Sequence, residues 1–332
     1  MTTIESTTEV DRHSLVVMAA TMVFLVGIHI DGWAHNHGRV DESFFTPWHA
    51  ALYGGYLLAA IAILRPIVQQ RARGVSWRDA IPDGYTLSVA GVVVFAAGGV
   101  GDMFWHIAFG IEEDIDALLS PTHLTLAVGG ALMAIGPFLS GWRRRRDAWS
   151  AAGPTVVAVL AWWAVISFMT QYVNPYVELW PTADWQIATF GADVNDLGTA
   201  LGVTGFMVQS ALLTGFVLVL ADRGVLPRGG LFLLIGVHAG FAVTQGNDYW
   251  LVTPVVIGAL VAEWLFHVLR PLDGVSWRVF SFALPATVTT ALLAGMASAY
   301  EIAWSTHLWS GTIVISGLVG LLVGLLVRRP AI

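Results

Sequence analysis

The run VVMAATMVFLVGIHIDGWAH, Val16 to His35, stays apolar until its last third and then admits Asp31 and His35. About 20 such residues, each rising about 1.5 Å in a helix, match the roughly 30 Å hydrocarbon core of a bilayer. A polar loop follows, and the next apolar run opens with Thr46-Pro-Trp-His49. Ser or Thr before Pro is a helix start signal, cap then first position. His49 therefore falls in an opening turn. Positions four apart share one helix face, so Asp31 and His35 point the same way. The arrangement returns downstream as Asp102-Met-Phe-Trp-His106, a polar loop, and Ser120-Pro-Thr-His123. Twice, the end of one helix and the start of the next bring an Asp and two His to one membrane surface.

The composition agrees with this reading. Of 332 residues, 56 % are hydrophobic and 12 % charged, against roughly 25 % charged in a soluble domain. The fold class is an all-α integral membrane protein. Cysteine is absent, which excludes disulfides, thiolate metal sites and Cys nucleophiles. All 16 basic residues are Arg, and they do not gather into a nucleic-acid face. The expected surroundings are the lipid bilayer, with further membrane subunits or a homo-oligomer left open. The first fifteen residues lack the basic start and cleavage site of a signal peptide, so the N-terminus reads as a short polar tail.

Apolar length predicts about ten spans, near 14–35, 47–69, 84–107, 121–141, 153–173, 198–221, 229–247, 250–269, 279–302 and 305–327. Every Arg except Arg39 then falls on one side, including Arg65, Arg71, Arg73, Arg78, Arg143 to Arg146, Arg223, Arg228, Arg270, Arg278, Arg328 and Arg329. The positive-inside rule makes that side cytoplasmic. The expectation is a plasma-membrane protein with both termini inside and both Asp/His stretches outside. The opposite loops are acidic, with Asp41, Glu42, Glu112 to Asp114, Asp116, Glu178, Asp184, Asp193 and Asp196.

Arg65-Pro66 followed by Gly74-Val-Ser-Trp-Arg78 recurs as Arg270-Pro271 followed by Gly274-Val-Ser-Trp-Arg278. Aligned on these, spans 1–4 correspond to spans 7–10 in the same orientation, a parallel internal repeat. The expected organisation is a cytoplasmic tail at 1–13, repeat A at 14–141, an insert with spans 5 and 6 at 142–228, and a degenerate repeat B at 229–332. Asp248 then aligns near Asp31, Thr253-Pro254 near Thr46-Pro47, Glu301 near Asp102 and His307 near His123.

Ionisable groups near a bilayer are costly and usually mark function. A cation accounts for this set: Asp gives charge, two neutral imidazoles give nitrogen, and the carbonyl end of the first helix adds partial negative charge. One carboxylate and two His suit Cu(II), Fe(II) or Zn(II). Asp102, His106 and His123 form the stronger candidate because their flanks are more apolar; Asp31, His35 and His49 form the other. His37 and His29 are alternative ligands for the first site, and Glu301 with His307 is a candidate vestigial third site or proton relay. Glu263 and His267 read as an ordinary ion pair, and His238 as a core histidine. A scaffold whose polar helix ends merely pair is the structural alternative.

Asp, three residues, His, then a second His across a helix hairpin resembles the metal motif in a membrane-embedded subunit of the copper membrane monooxygenases. That family includes the particulate methane and ammonia monooxygenases. The positions that match are Asp31, His35, His49 and again Asp102, His106, His123. The intervals between paired His, thirteen and sixteen residues, are longer than the family's, and the likeness is confined to these stretches. The resemblance implies copper near the outer face and an O2-using oxidation of a small apolar molecule. Quinol oxidation, or metal uptake or insertion without redox catalysis, are the other functions the residues allow.

Overall fold

Three helix starts show how this sequence sets its own boundaries. The Thr46 hydroxyl accepts the His49 amide at 3.1 Å with Pro47 first in the helix; Ser120 accepts the His123 amide at 3.3 Å; Ser305 accepts that of Leu308 at 3.3 Å. Each hydroxyl satisfies an amide that the first helical turn leaves without a partner. The computed structural model describes residues 3–39, 45–110, 112, 114–142, 149–185 and 196–328. Arg143 to Arg146, Arg329, Asp41, Glu42, Glu113 and Asp193 lie outside them.

The described chain is helical, with one isolated bridge and no strand. The helices are α1 Thr3–Asn36, α2 Pro47–Ala72, α3 Trp77–Ala80, α4 Thr86–Phe109, α5 Asp114–Leu119, α6 Pro121–Trp142, α7 Trp149–Met169, α8 Asp196–Arg223, α9 Gly230–Val243, α10 Val252–Val268, α11 Gly274–Ala299 and α12 Thr306–Val327. Among the described residues nine helices are long and apolar enough to cross a membrane. This is a multi-pass helical membrane protein. The seventh expected span, near 229–247, is only the 14-residue helix α9. At about 1.5 Å per residue it falls short of a bilayer core. Its apolar run is interrupted by Thr244, Gln245, Gly246 and Asn247, which form turns.

The chain divides into two compact units, Met1–Met169 and Thr170–Ile332. The division falls where α7 ends, so α7 belongs to the first unit and α8 to the second, although the sequence set both spans aside as one insert. In the first unit α1 packs on α2 and α7, and α6 packs on α4 and α7. Phe24, Phe95, Tyr85, Ile63 and Met133 lie in its buried centre, with the Phe24 and Phe95 rings edge to face at 5.1 Å. Helices α4 and α6 meet almost backbone to backbone. A Cβ at Gly129 would stand 2.6 Å from the Phe95 amide nitrogen. Such small-residue contacts replace the hydrophobic driving force that lipid cannot supply between helices.

In the second unit α11 packs on α10 and α12, α12 on α8, and α9 on α10. A stretch of irregular backbone that opens on a single 3-10 turn, Gln171–Val173, is buried there: Gln171, Asn174, Tyr176, Leu179, Trp180 and Thr182 are all shielded. Thr182 bridges to Ile302, and the Ala183 and Ala303 amides donate to Glu301 and Pro181 carbonyls, each at 2.8 Å. Irregular backbone persists in a membrane protein where protein supplies its hydrogen bonds. Apolar periodicity alone did not mark this stretch.

The repeated pentapeptide folds two ways. Ser76 caps the four-residue helix α3, whereas Ser276 closes a capping box with Asp273 at the start of the long helix α11. Arg65-Pro66 lies inside α2, but α10 ends before Arg270-Pro271.

Candidate metal centre

Asp102 is the centre of the better-formed cluster. It stands in the last two turns of α4 and is 2 % exposed. His106 follows one helical turn later, with Nε2 3.4 Å from Asp102 Oδ2. His123, in the first turn of α6, places Nε2 3.3 Å from Asp102 Oδ1. Metal bonds of about 2.05 Å at tetrahedral angles put neighbouring donors about 3.3 Å apart, so the spacing suits a shared small cation.

The outer ring of contacts holds these groups in that attitude. Thr122 Oγ1 donates to Asp102 Oδ1 at 2.8 Å. The other nitrogen of His123 faces the Ala117 carbonyl in a short hydrogen bond and the Ser120 hydroxyl at 3.0 Å. A proton on His123 Nδ1 leaves the Nε2 lone pair free, the arrangement usual for a metal-bound imidazole. His106 Nδ1 lies 3.2 Å from the Gly110 carbonyl and 3.2 Å from Glu112 Oε2.

The second cluster joins Asp31 and His35 at the end of α1 to His49 in the first turn of α2. Its separations are longer, 4.0 Å from His35 Nε2 to Asp31 Oδ2 and 3.6 Å from His49 Nε2 to Asp31 Oδ1. The donor atoms of each triad lie within 4.8 Å of one another. The clusters are neighbours in the first unit: Asp31 interacts electrostatically with Asp102, His106 and His123, and Tyr53 with both carboxylates. Tyr53 is one turn beyond His49, its ring 6.3 Å from that imidazole, and its hydroxyl rests against Gly99 one turn before Asp102.

The remaining candidates are placed elsewhere. His29 is buried, donating through Nδ1 to the Leu25 carbonyl at 2.9 Å with its ring edge-on to Phe168. His37 stacks on Trp33, with Nδ1 2.7 Å from the Trp33 carbonyl. Glu301 and His307 are exposed and join neither cluster. Asp248 accepts the Tyr300 hydroxyl in a short bond and the Trp250 indole at 3.2 Å; that acceptor raises the Tyr300 phenol above its ordinary pKa. Glu263 pairs with His267 at 2.8 Å and also accepts the Gly229 and Phe232 amides that start α9. His238 is buried edge-on to Tyr176 at 5.6 Å.

Sequence reasoning missed Thr122, Tyr53 and the approach of Glu112 to His106. Thr122 had a signal, since it directly precedes His123 in a first helical turn. Glu112 had none beyond belonging to an acidic loop.

A helical membrane protein carrying two Asp/His/His groups fit to hold metal ions is the class defined by this fold and geometry. Set against models of protein families, curated proteins and solved structures, the chain matches none.

Proposed function

We propose that this chain is a membrane metalloprotein that binds a transition metal, copper in preference to iron or zinc, through Asp102, His106 and His123. The observation that carries it is the convergence of both imidazole Nε2 atoms on the Asp102 carboxylate, at 3.3 and 3.4 Å, with His123 Nδ1 turned to a carbonyl. Asp31, His35 and His49 form a second, looser site. Copper is favoured by the nitrogen-and-carboxylate set, by the absence of thiolates and by the motif's likeness to that of the copper monooxygenases. Both sites are assigned to the outer face, opposite the Arg-rich loops.

Three protein ligands leave coordination positions open, the condition for catalysis at a metal. The activity assigned is O2-dependent oxidation of a small apolar molecule, or of a quinol, arriving through the bilayer. Metal uptake or insertion without redox chemistry is the second reading. It needs a polar path through the protein, and two of its candidate residues, Glu263 and His267, are occupied by each other and by the α9 amides.

The internal repeat belongs to the same proposal. Under its alignment α1, α2, α4 and α6 correspond to α9, α10, α11 and α12. In both copies the first helix packs on the second and the third on the fourth: α1 on α2 and α4 on α6, α9 on α10 and α11 on α12. The second copy has kept the helices and lost the histidines of both triads save His307.

The deciding experiment is metal analysis of detergent-purified protein beside its His106→Ala and His123→Ala variants. Bound copper with nitrogen coupling in the Cu(II) resonance, diminished in both variants, is expected. Metal-free wild type, or equal metal in all three, overturns the assignment.

A further inference from the structure

We propose that Glu112 is a positioning residue of the Asp102/His106/His123 site, holding the far nitrogen of His106 and biasing the site toward a dipositive ion. This rests on the metal assignment above and adds a residue to it.

The chain delivers Glu112 by a local route. Helix α4 ends at Gly110, whose φ of 86° lies in the region that favours glycine. The Gly110 amide donates back to the His106 carbonyl at 3.0 Å, the closing helical bond, and the chain leaves the helix at that glycine. Two residues later the Glu112 side chain, 14 % exposed, sets Oε2 3.2 Å from His106 Nδ1. Both Glu112 carboxylate oxygens are shielded and lack an aligned hydrogen bond among the described residues. A shielded carboxylate without such bonds is costly, and the cation-forming group beside it is His106. The His106 ring thus has a carboxylate at each nitrogen: Asp102 at Nε2 and Glu112 at Nδ1.

The consequence is chemical. The Gly110 carbonyl accepts from Nδ1–H and sets the tautomer, and the Glu112 carboxylate beside the same nitrogen adds negative charge that makes Nε2 a stronger donor. Charge gives a second effect. With neutral imidazoles, Asp102 and Glu112 together carry the two negative charges that balance a divalent ion, whereas a monovalent ion would leave the site negative. In a water-poor setting that imbalance is poorly screened. Losing the Glu112 charge must therefore weaken divalent binding more than monovalent binding.

The test uses full-length protein in detergent, Zn(II) and Cu(I) competition titrations, and the isosteric Glu112→Gln variant, with Glu112→Ala as the larger lesion. Outer partners of metal-bound histidines are commonly worth about 10- to 100-fold in affinity. Glu112→Gln is expected to weaken Zn(II) about tenfold and Glu112→Ala more, with a smaller loss for Cu(I). The Co(II) visible bands should shift while the number of bound ions stays the same. Equal Zn(II) affinity and unchanged Co(II) bands in Glu112→Gln overturn the proposal, as does an equal loss for both charges. If Glu112→Ala fails to fold, Glu112→Gln alone decides. Wild type that binds no metal overturns the metal assignment as well. Loss in His106→Ala with no change in Glu112→Gln overturns only the role of Glu112.

Discussion

Thr122 and Asp102 are joined across two helices: the Thr122 hydroxyl at the start of α6 donates to the Asp102 carboxylate near the end of α4, at 2.8 Å. The same carboxylate oxygen faces His123, so Thr122 and His123 approach Asp102 together from one helical turn. Ser120 completes that turn by capping the His123 amide and facing its ring.

That bond gives the first prediction. A hydrogen bond to a charged group contributes about 1.5–3 kcal/mol, and a carboxylate freed from it rotates more readily. Thr122→Val should weaken Zn(II) binding about tenfold with its stoichiometry unchanged, while Thr122→Ser should bind like wild type. Competition titration of the three proteins checks this; equal affinity for Thr122→Val would remove the bond from the account of the site.

A second prediction concerns the helix contact beneath the site. A Cβ at residue 129 would meet the Phe95 amide nitrogen at 2.6 Å, closer than the backbone can allow. Gly129→Ala must push α4 from α6. Overpacking of this kind commonly costs about 1–3 kcal/mol. Because Asp102 rides on α4 and His123 on α6, the variant should unfold at lower temperature and also bind metal less tightly. Thermal unfolding in detergent, followed by metal titration, measures both.

The residues of each triad were legible because helix periodicity and capping are local rules. Asp31 and His35, or Asp102 and His106, share a face by spacing alone, and Thr46 or Ser120 before proline marks where the partner helix starts. What brought Glu112 to His106 is the path the chain takes after the helix ends at Gly110, and one glycine in a polar loop does not reveal that direction. The spans were legible from apolar length, except where length misled: residues 229–247 look like a span, but α9 stops at Val243. The burial of the 171–182 stretch depends on contacts with distant segments of its own unit, such as Val173 against Gly205, which no local pattern encodes.

A control separates the site from the rest of the chain. Glu263 accepts the Gly229 and Phe232 amides and pairs with His267. Glu263→Ala removes an acceptor for helix-start amides, a loss of about 1–2 kcal/mol by analogy with other caps. It should lower the unfolding temperature and leave the bound metal unchanged. Loss of metal in Glu263→Ala without unfolding would revive the through-route and favour transport.

The last prediction follows from the nearness of the two triads. Asp31 interacts electrostatically with Asp102, His106 and His123, and the Tyr53 phenol interacts with both carboxylates. Each divalent ion adds two positive charges, so coupling between sites carries four times the energy of a single pair of unit charges. Two dipositive ions up to about 10 Å apart repel by at least about 6 kcal/mol at an effective dielectric of about 20, and by more than about 1 kcal/mol at the dielectric of water. The first ion must therefore weaken the second by about tenfold or more. Zn(II) titration of wild type should show two equivalents of unequal affinity. Asp102→Asn, which cripples the tighter site, should leave one equivalent at the Asp31 triad that binds more tightly than the second equivalent of wild type. Two equal, independent equivalents would mean that the triads do not sense one another.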